Sequence, residues 1–282
     1  MRFELVQSLS IPGDPEKAND DAFAVEPMAA TVFDGATGLG GNLMPGPSDA
    51  AWIAQFGARR LLAHLRESDE PVEALRRALA DTKTSFEGLR RRAPKERYEI
   101  PYASMILAVA REDSVEALWF GDCAMLVERL DGEVEMVGEA FDKRAAEANR
   151  ARMLSDAKGL PPVGALSRAE FTPHIRSARN HVNTDRGGWL FSPEPRAADH
   201  VASRRVSAAP GTHLLLASDG FLALACDYGA YDAAGLLRAA RDNGLAALAQ
   251  EVRAIENEDF DGRRFPRFKK SDDCTAVLLK VI

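Results

Sequence analysis

Four short acidic motifs, Asn19-Asp20-Asp21, Asp34-Gly35, Ser218-Asp219-Gly220 and Ser271-Asp272-Asp273-Cys274-Thr275, are spread over almost the whole chain. Each stands where a hydrophobic, strand-like run begins or ends. Thr31-Val32-Phe33 runs into Asp34, His213 to Ala217 runs into Asp219, and Asp272 leads into Thr275 to Leu279. Carboxylates at strand ends from distant parts of a chain converge only once the strands are folded together. Such a cluster repels itself unless cations sit within it, and all-oxygen ligands select hard cations such as Mg²⁺ or Mn²⁺.

The order of these motifs resembles that of the metal-dependent serine/threonine protein phosphatases of the PP2C (PPM) family, bacterial type. The resemblance rests on the acidic pair before Ala22-Phe23, the strand-terminal Asp34-Gly35, a mid-chain Gly121-Asp122, the Leu214 to Gly220 run and the terminal Asp272-Asp273-Cys274-Thr275. It covers nearly the entire chain. A lone Asp-Gly is common, whereas five motifs in order at strand ends are specific. The resemblance implies an α+β fold, an αββα sandwich of two central antiparallel sheets flanked by antiparallel helix pairs, with the metal site at one edge of the sheets. It also implies one phosphatase domain over 1–282, with a variable, flap-like region at about 141–209.

The residues support strands at Phe3 to Ile11, Ala22 to Val25 and Ala29 to Phe33, then two helices, one starting at Pro47-Ser48 and one running from Pro71 toward Arg92. A meander follows: Tyr102 to Ala110, Val115 to Phe120, Ala124 to Leu130 and Val134 to Val137, with Asp131-Gly132 as a hairpin turn. Asp142 to Lys158 reads as a charged helix. Asp232 to Arg241 and Leu245 to Ile255 read as a helical pair broken at Gly244, before a final strand.

Composition excludes several classes. A formal net charge of −7 argues against general nucleic-acid affinity. No apolar stretch reaches membrane-spanning length, and Met1 to Ile11 lacks the continuous apolar region of a signal peptide, so a cytoplasmic location is expected; a monomer is expected as well. Cys123, Cys226 and Cys274 lie far apart without metal-type spacing and read as small buried residues in a reducing compartment.

The resemblance also suggests roles. Asp34 bridges two metal ions that activate water, and Gly35 lets its carbonyl turn toward one of them. Asp219 and Asp272 complete that ion's shell, while Asp20 or Asp21 holds waters on the second. Asp122 is assigned to a third, weaker metal, against the alternative of a turn aspartate between strands. Counting back from Thr275 makes Asp272 the ligand, and Asp273 takes its place only if the turn shifts by one residue.

This sequence departs from the family pattern at several points. Cys123-Ala124 follows Gly121-Asp122 where the family has Ser-Arg, and Ala36 stands where eukaryotic members carry a histidine. The arginine that grips phosphate before the acidic pair is missing. Lys17 offers a point-charge substitute, without the bidentate fork of arginine, or is simply an exposed loop lysine. Arg263, Arg264 and Arg267, with Lys269 and Lys270, crowd before Asp272 and are a candidate substrate-binding surface or a solvated loop. The run Arg90 to Arg92 reads as a helix end. His64, His174, His181, His200 and His213 lack zinc-type spacing.

Two classes of function stand at this point. One is metal-dependent hydrolysis of phosphoserine and phosphothreonine on phosphorylated protein partners, with small phosphate esters as an alternative substrate of the same site. The other is a catalytically weak binding or regulatory module that keeps the sandwich.

Overall fold

Strand β9 (His213–Ala217) shows how the hydrophobic runs are used, because successive leucines face two different cores in the computed structural model, which describes residues 1–129, 131–164 and 171–282 and, for Lys158, the backbone alone. Leu214 and Leu216 point between two sheets, whereas Leu215 and Ala217 point toward helices. A strand covered on both faces has no polar side to show, so its sequence is continuous rather than alternating.

One sheet has the order β1 (Phe3–Ile11), β10 (Cys274–Val281), β9, β6 (Ala124–Glu128) and β7 (Val134–Val137). The other has the order β2 (Asp21–Glu26), β3 (Ala29–Gly35), β4 (Ala103–Ala110), β5 (Ser114–Phe120) and β8 (Ala202–Ser207). All pairings are antiparallel. Val32, Ile106, Met125, Leu216, Val277 and Leu279 fill the space between the sheets.

Helices α1 (Asp49–Leu65) and α2 (Pro71–Leu89) cover the second sheet, burying Ile53, Leu61, Leu75 and Leu79 against Phe33, Met105 and Leu118. On the first sheet lie α5 (Asp219–Cys226), α6 (Ala233–Asp242) and α7 (Leu245–Glu258), with Phe221, Leu236 and Leu248 packed on Leu126, Leu215 and Leu278. The four layers are those of the αββα sandwich. Helix α3 (Ala140–Lys158) and α4 (Thr172–Arg179) lie between β7 and β8 in the chain. Among the described residues no helix is long and apolar enough to cross a membrane.

Several local expectations need correction. The strand expected to reach Leu130 ends at Glu128, and Leu130 itself lies outside the described residues, as do 165–170 of the flap-like region. Helices α4 and α5 and strand β8 were not anticipated. Helix α2 stops at Leu89, short of the basic run. Arg90 is extended, the Arg91 N–H donates to the Leu43 carbonyl, and Arg92 grips Glu99 through two 2.8 Å hydrogen bonds. That fork, with the Lys95 backbone N–H, outweighs desolvation and holds the Glu99 pKa down to about 2 from its ordinary 4.5. Arg92 is exposed, so Arg92→Ala is expected to lower stability at pH 7 only slightly. Because the folded-state pKa is depressed, that contribution is full above about pH 4.5 and is lost as pH falls through about 2. Urea titrations of wild type and Arg92→Ala at pH 7 and in acid measure the effect and its pH dependence.

Candidate metal-binding active site

Register places the acidic motifs at one edge. Asp21 opens β2 and sits opposite Asp34 near the end of β3, and Asp34 in turn sits opposite Ser104 on β4. Directly paired residues of an antiparallel ladder share a face, so the two carboxylates are neighbours. Ser104 Oγ donates to Asp122 Oδ1 at 2.7 Å, tying the β5–β6 turn to the same edge. In the other sheet Ala217 pairs with both Ala124 and Ala276. The residues just outside those pairs, Asp219, Asp122 and Asp272, therefore emerge at a common end.

Ser218 stitches the two sheets together. Its Oγ donates to Asp21 Oδ2 at 2.7 Å and accepts the Thr275 N–H at 3.0 Å. The glycine beside each central aspartate is required by close approach. A Cβ on Gly35 would lie 2.6 Å from the Asp20 carbonyl oxygen and would overlap that of Ala50. A Cβ on Gly220 would overlap the Asp273 carbonyl oxygen. Only glycine lets these backbones pass so closely.

The two residues of each acidic pair have different surroundings. Asp21 is buried at 4% exposure, whereas Asp20 accepts from Ser48 Oγ at 2.5 Å, and Ser48 also caps α1. Asp272 Oδ1 accepts from Lys269 Nζ at 2.6 Å. Asp273 turns the other way and accepts the Gly13 N–H at 2.7 Å and the Asp20 N–H at 2.5 Å. Asp273 thus fastens the loop carrying Asp20.

Electrostatics mark the cluster as overcrowded with negative charge. Burial, then repulsion from Asp219, Asp21, Asp122 and Asp272, raises the Asp34 pKa well above the usual carboxylate range. For Asp21, burial and the charges of Asp273 and Asp272 prevail over the Ser218 hydrogen bond and push the value up to about 8. Two cations answer them. Arg144 on α3 donates from Nη1 to Asp219 Oδ2 at 2.6 Å and grips Asp227 at 2.8 Å, with Glu147 3.6 Å away. Burial works against the Asp219 charge; Arg144 favours it. At Asp272 burial is outweighed by Lys269, so that carboxyl is held below its ordinary value.

Among the described residues, five aspartates thus face two cationic side chains, and Asp21 Oδ1 is buried with no hydrogen-bond partner. An all-carboxylate donor set with an orphaned inner oxygen fits hard divalent cations. Among the described residues, no three His, Cys, Asp or Glu side chains are already drawn into a metal cage. Arg144 and Lys269 hold two of the candidate ligands.

The other candidates lie elsewhere. Lys17 is 77% exposed and pairs with Asp14 at 3.1 Å. Arg263 pairs with Asp261 in solvent, and the Arg264 guanidinium lies over the Phe265 ring. Arg267 is buried and bound to Asp259 at 2.7 Å and to nearby carbonyl oxygens. Of the basic segment, Lys269 reaches the aspartates. His64 binds Asp81, His200 stacks on Trp189 and His213 lies by Glu128. The three cysteines are free thiols. Arg144 was missed because nothing in a charged helical run separates it from Lys143 or Arg150.

Residues 16–252 match the family model for Protein phosphatase 2C. No curated protein sequence gives a significant match. Among solved structures, the Mycobacterium tuberculosis serine/threonine phosphatase PstP/Ppp is 14% identical with a TM-score of 0.58, covering 100% of this chain and 99% of that one. The Mycobacterium smegmatis PPM Ser-Thr phosphatase MsPP, in complex with cacodylate, is 16% identical with a TM-score of 0.56 and 99% coverage of both chains. The PstP catalytic domain with two manganese ions is 15% identical with a TM-score of 0.53, covering 100% of this chain and 99% of that one. At such identities the likeness concerns the fold, and it extends over both sheets and their helices. With a family match spanning most of the sequence, the chain belongs to the protein phosphatase 2C family of serine/threonine protein phosphatases.

Proposed function

We propose that this chain, folded as one domain, hydrolyses phosphoserine and phosphothreonine on proteins at the aspartate cluster, acting as a cytoplasmic monomer. The observation that carries the reading is the convergence of Asp21, Asp34, Asp122, Asp219 and Asp272 at one sheet edge against two cationic side chains. Asp34, Asp219, Asp272 and the Gly35 carbonyl would hold one Mn²⁺ or Mg²⁺, and Asp21 would serve a second. The charge of Asp21 acts on Asp34, and its Oδ1 has no hydrogen-bond partner among the described residues. Asp122 would contact a third ion. Bound together, such ions lower the pKa of a water and neutralise phosphoryl oxygens.

The remaining work falls to this chain's own groups. Ser218 and Thr275 fix Asp21 at the junction of the sheets, and Gly35 and Gly220 allow the backbones to close around the aspartates. A small pocket lined by Ala36, Gly38 to Gly41, Tyr98, Tyr102 and Arg179 lies beside Asp34-Gly35, with Asp49 and Glu99 in its wall.

The test is phosphate release from a phosphothreonine peptide and from p-nitrophenyl phosphate, with Mn²⁺, with Mg²⁺ and after EDTA. Release with either cation and none after EDTA is expected, with the peptide preferred. Undiminished turnover after EDTA overturns the metal assignment. The second reading, a binding module, is favoured by Arg144 and Lys269 already neutralising two of the aspartates. It gains the lead if Mn²⁺ binds and neither substrate is hydrolysed.

A further inference from the structure

Arg144 ties a mainly polar helix to the cluster. Among the described side chains of α3, Ala140, Arg144 and Ala151 are buried, whereas Phe141 and Met153 are exposed. Ala151 joins a small group with Phe171 and Phe268, so the C-terminal half has some apolar anchorage. The N-terminal half is held by Ala140 and by the guanidinium. With so little apolar burial, an element belongs to the low-stability part of a fold.

The guanidinium divides its donors. Nη1 goes to Asp219 Oδ2 at 2.6 Å, while Nε and Nη2 go to Asp227 Oδ2 at 3.0 and 2.8 Å. A guanidinium does not lose its charge in a protein. A divalent cation arriving at Asp219 therefore meets a fixed positive charge on the same carboxylate, at a site where screening by water is weak. We infer that docking of the N-terminal half of α3 and loading of Asp219 by a divalent cation compete, with Arg144 as the built-in rival cation. On loading, Arg144 gives up Asp219 and stays on Asp227, and the helix loses its tie to the site. The coupling is reciprocal: whatever holds α3 down weakens the cation, and the cation loosens α3.

This inference rests on the reading of the aspartates as a divalent-cation site, and the experiment separates the two. Calorimetric Mn²⁺ titration of wild type and Arg144→Gln is paired with amide hydrogen exchange of the wild type with and without Mn²⁺. Removal of the rival is expected to tighten Mn²⁺ binding at least tenfold, and Mn²⁺ is expected to speed exchange over residues 140–151 of the wild type. If Mn²⁺ binds the wild type but a folded Arg144→Gln binds no tighter, or if α3 exchange is unchanged or slowed, the competition is refuted and the site reading stands. If the wild type binds no Mn²⁺, both fall. Should Arg144→Gln fail to fold, the wild-type exchange result decides alone.

Discussion

Asp34→Asn is expected to lower phosphoester hydrolysis by at least about a thousandfold while leaving the cation-free protein as stable as wild type or more so, by on the order of 1 kcal/mol. The two effects share one cause. Asp34 is surrounded by Asp219, Asp21, Asp122 and Asp272, and their repulsion together with burial makes its charge costly. An amide of the same shape removes that cost in the fold and removes the proposed bridging ligand from the reaction. Thermal melting in EDTA, set beside turnover in Mn²⁺, separates the terms. A variant that loses both stability and activity would show that Asp34 is a structural residue; one that keeps turnover would remove it from the site.

Asp272→Asn and Asp273→Asn are expected to fail in different ways. Asp272 faces the cluster and is held by Lys269, so its loss should weaken Mn²⁺ binding by roughly a hundredfold with a modest change in melting. Asp273 accepts two backbone N–H groups, from Gly13 and Asp20, each through a different oxygen. An asparagine accepts through one oxygen, so one of these N–H groups loses its partner, at a cost of about 2 kcal/mol. Its effect on Mn²⁺ should be a few-fold, passed on through the displaced loop. Equal losses of affinity would mean that the turn delivers both carboxylates to the cation.

Much of this arrangement was legible in the chain. Runs such as Leu214 to Ala217 and Met105 to Ala110 announce strands buried on both faces, and Ser48 and Pro71 mark helix starts that the structure confirms. The ends of those strands carry the aspartates, so motif order and strand position located the edge where the carboxylates meet. Charge pairing was legible only in part: the basic run before Asp272 put Lys269 near the cluster, while nothing in the sequence marked Arg144. Arg144 and Lys269 acquire partners only when α3 and the segment before β10 fold onto the aspartates. Arg267 looks like its exposed neighbours in sequence, yet it is buried on Asp259 because the chain turns back after α7. Helix α5 was hidden because its residues are almost uniformly apolar and buried, so no 3.6-residue period stands out after the Ser218 turn.

If the aspartate edge is a divalent-cation site built around Asp34, Mn²⁺ titration calorimetry on wild type and Asp34→Asn shows it. Saturable binding of about two ions per chain is expected in the wild type, with loss of most of that binding in the variant. Indistinguishable titrations of the two proteins, or no heat of binding in the wild type, would contradict it.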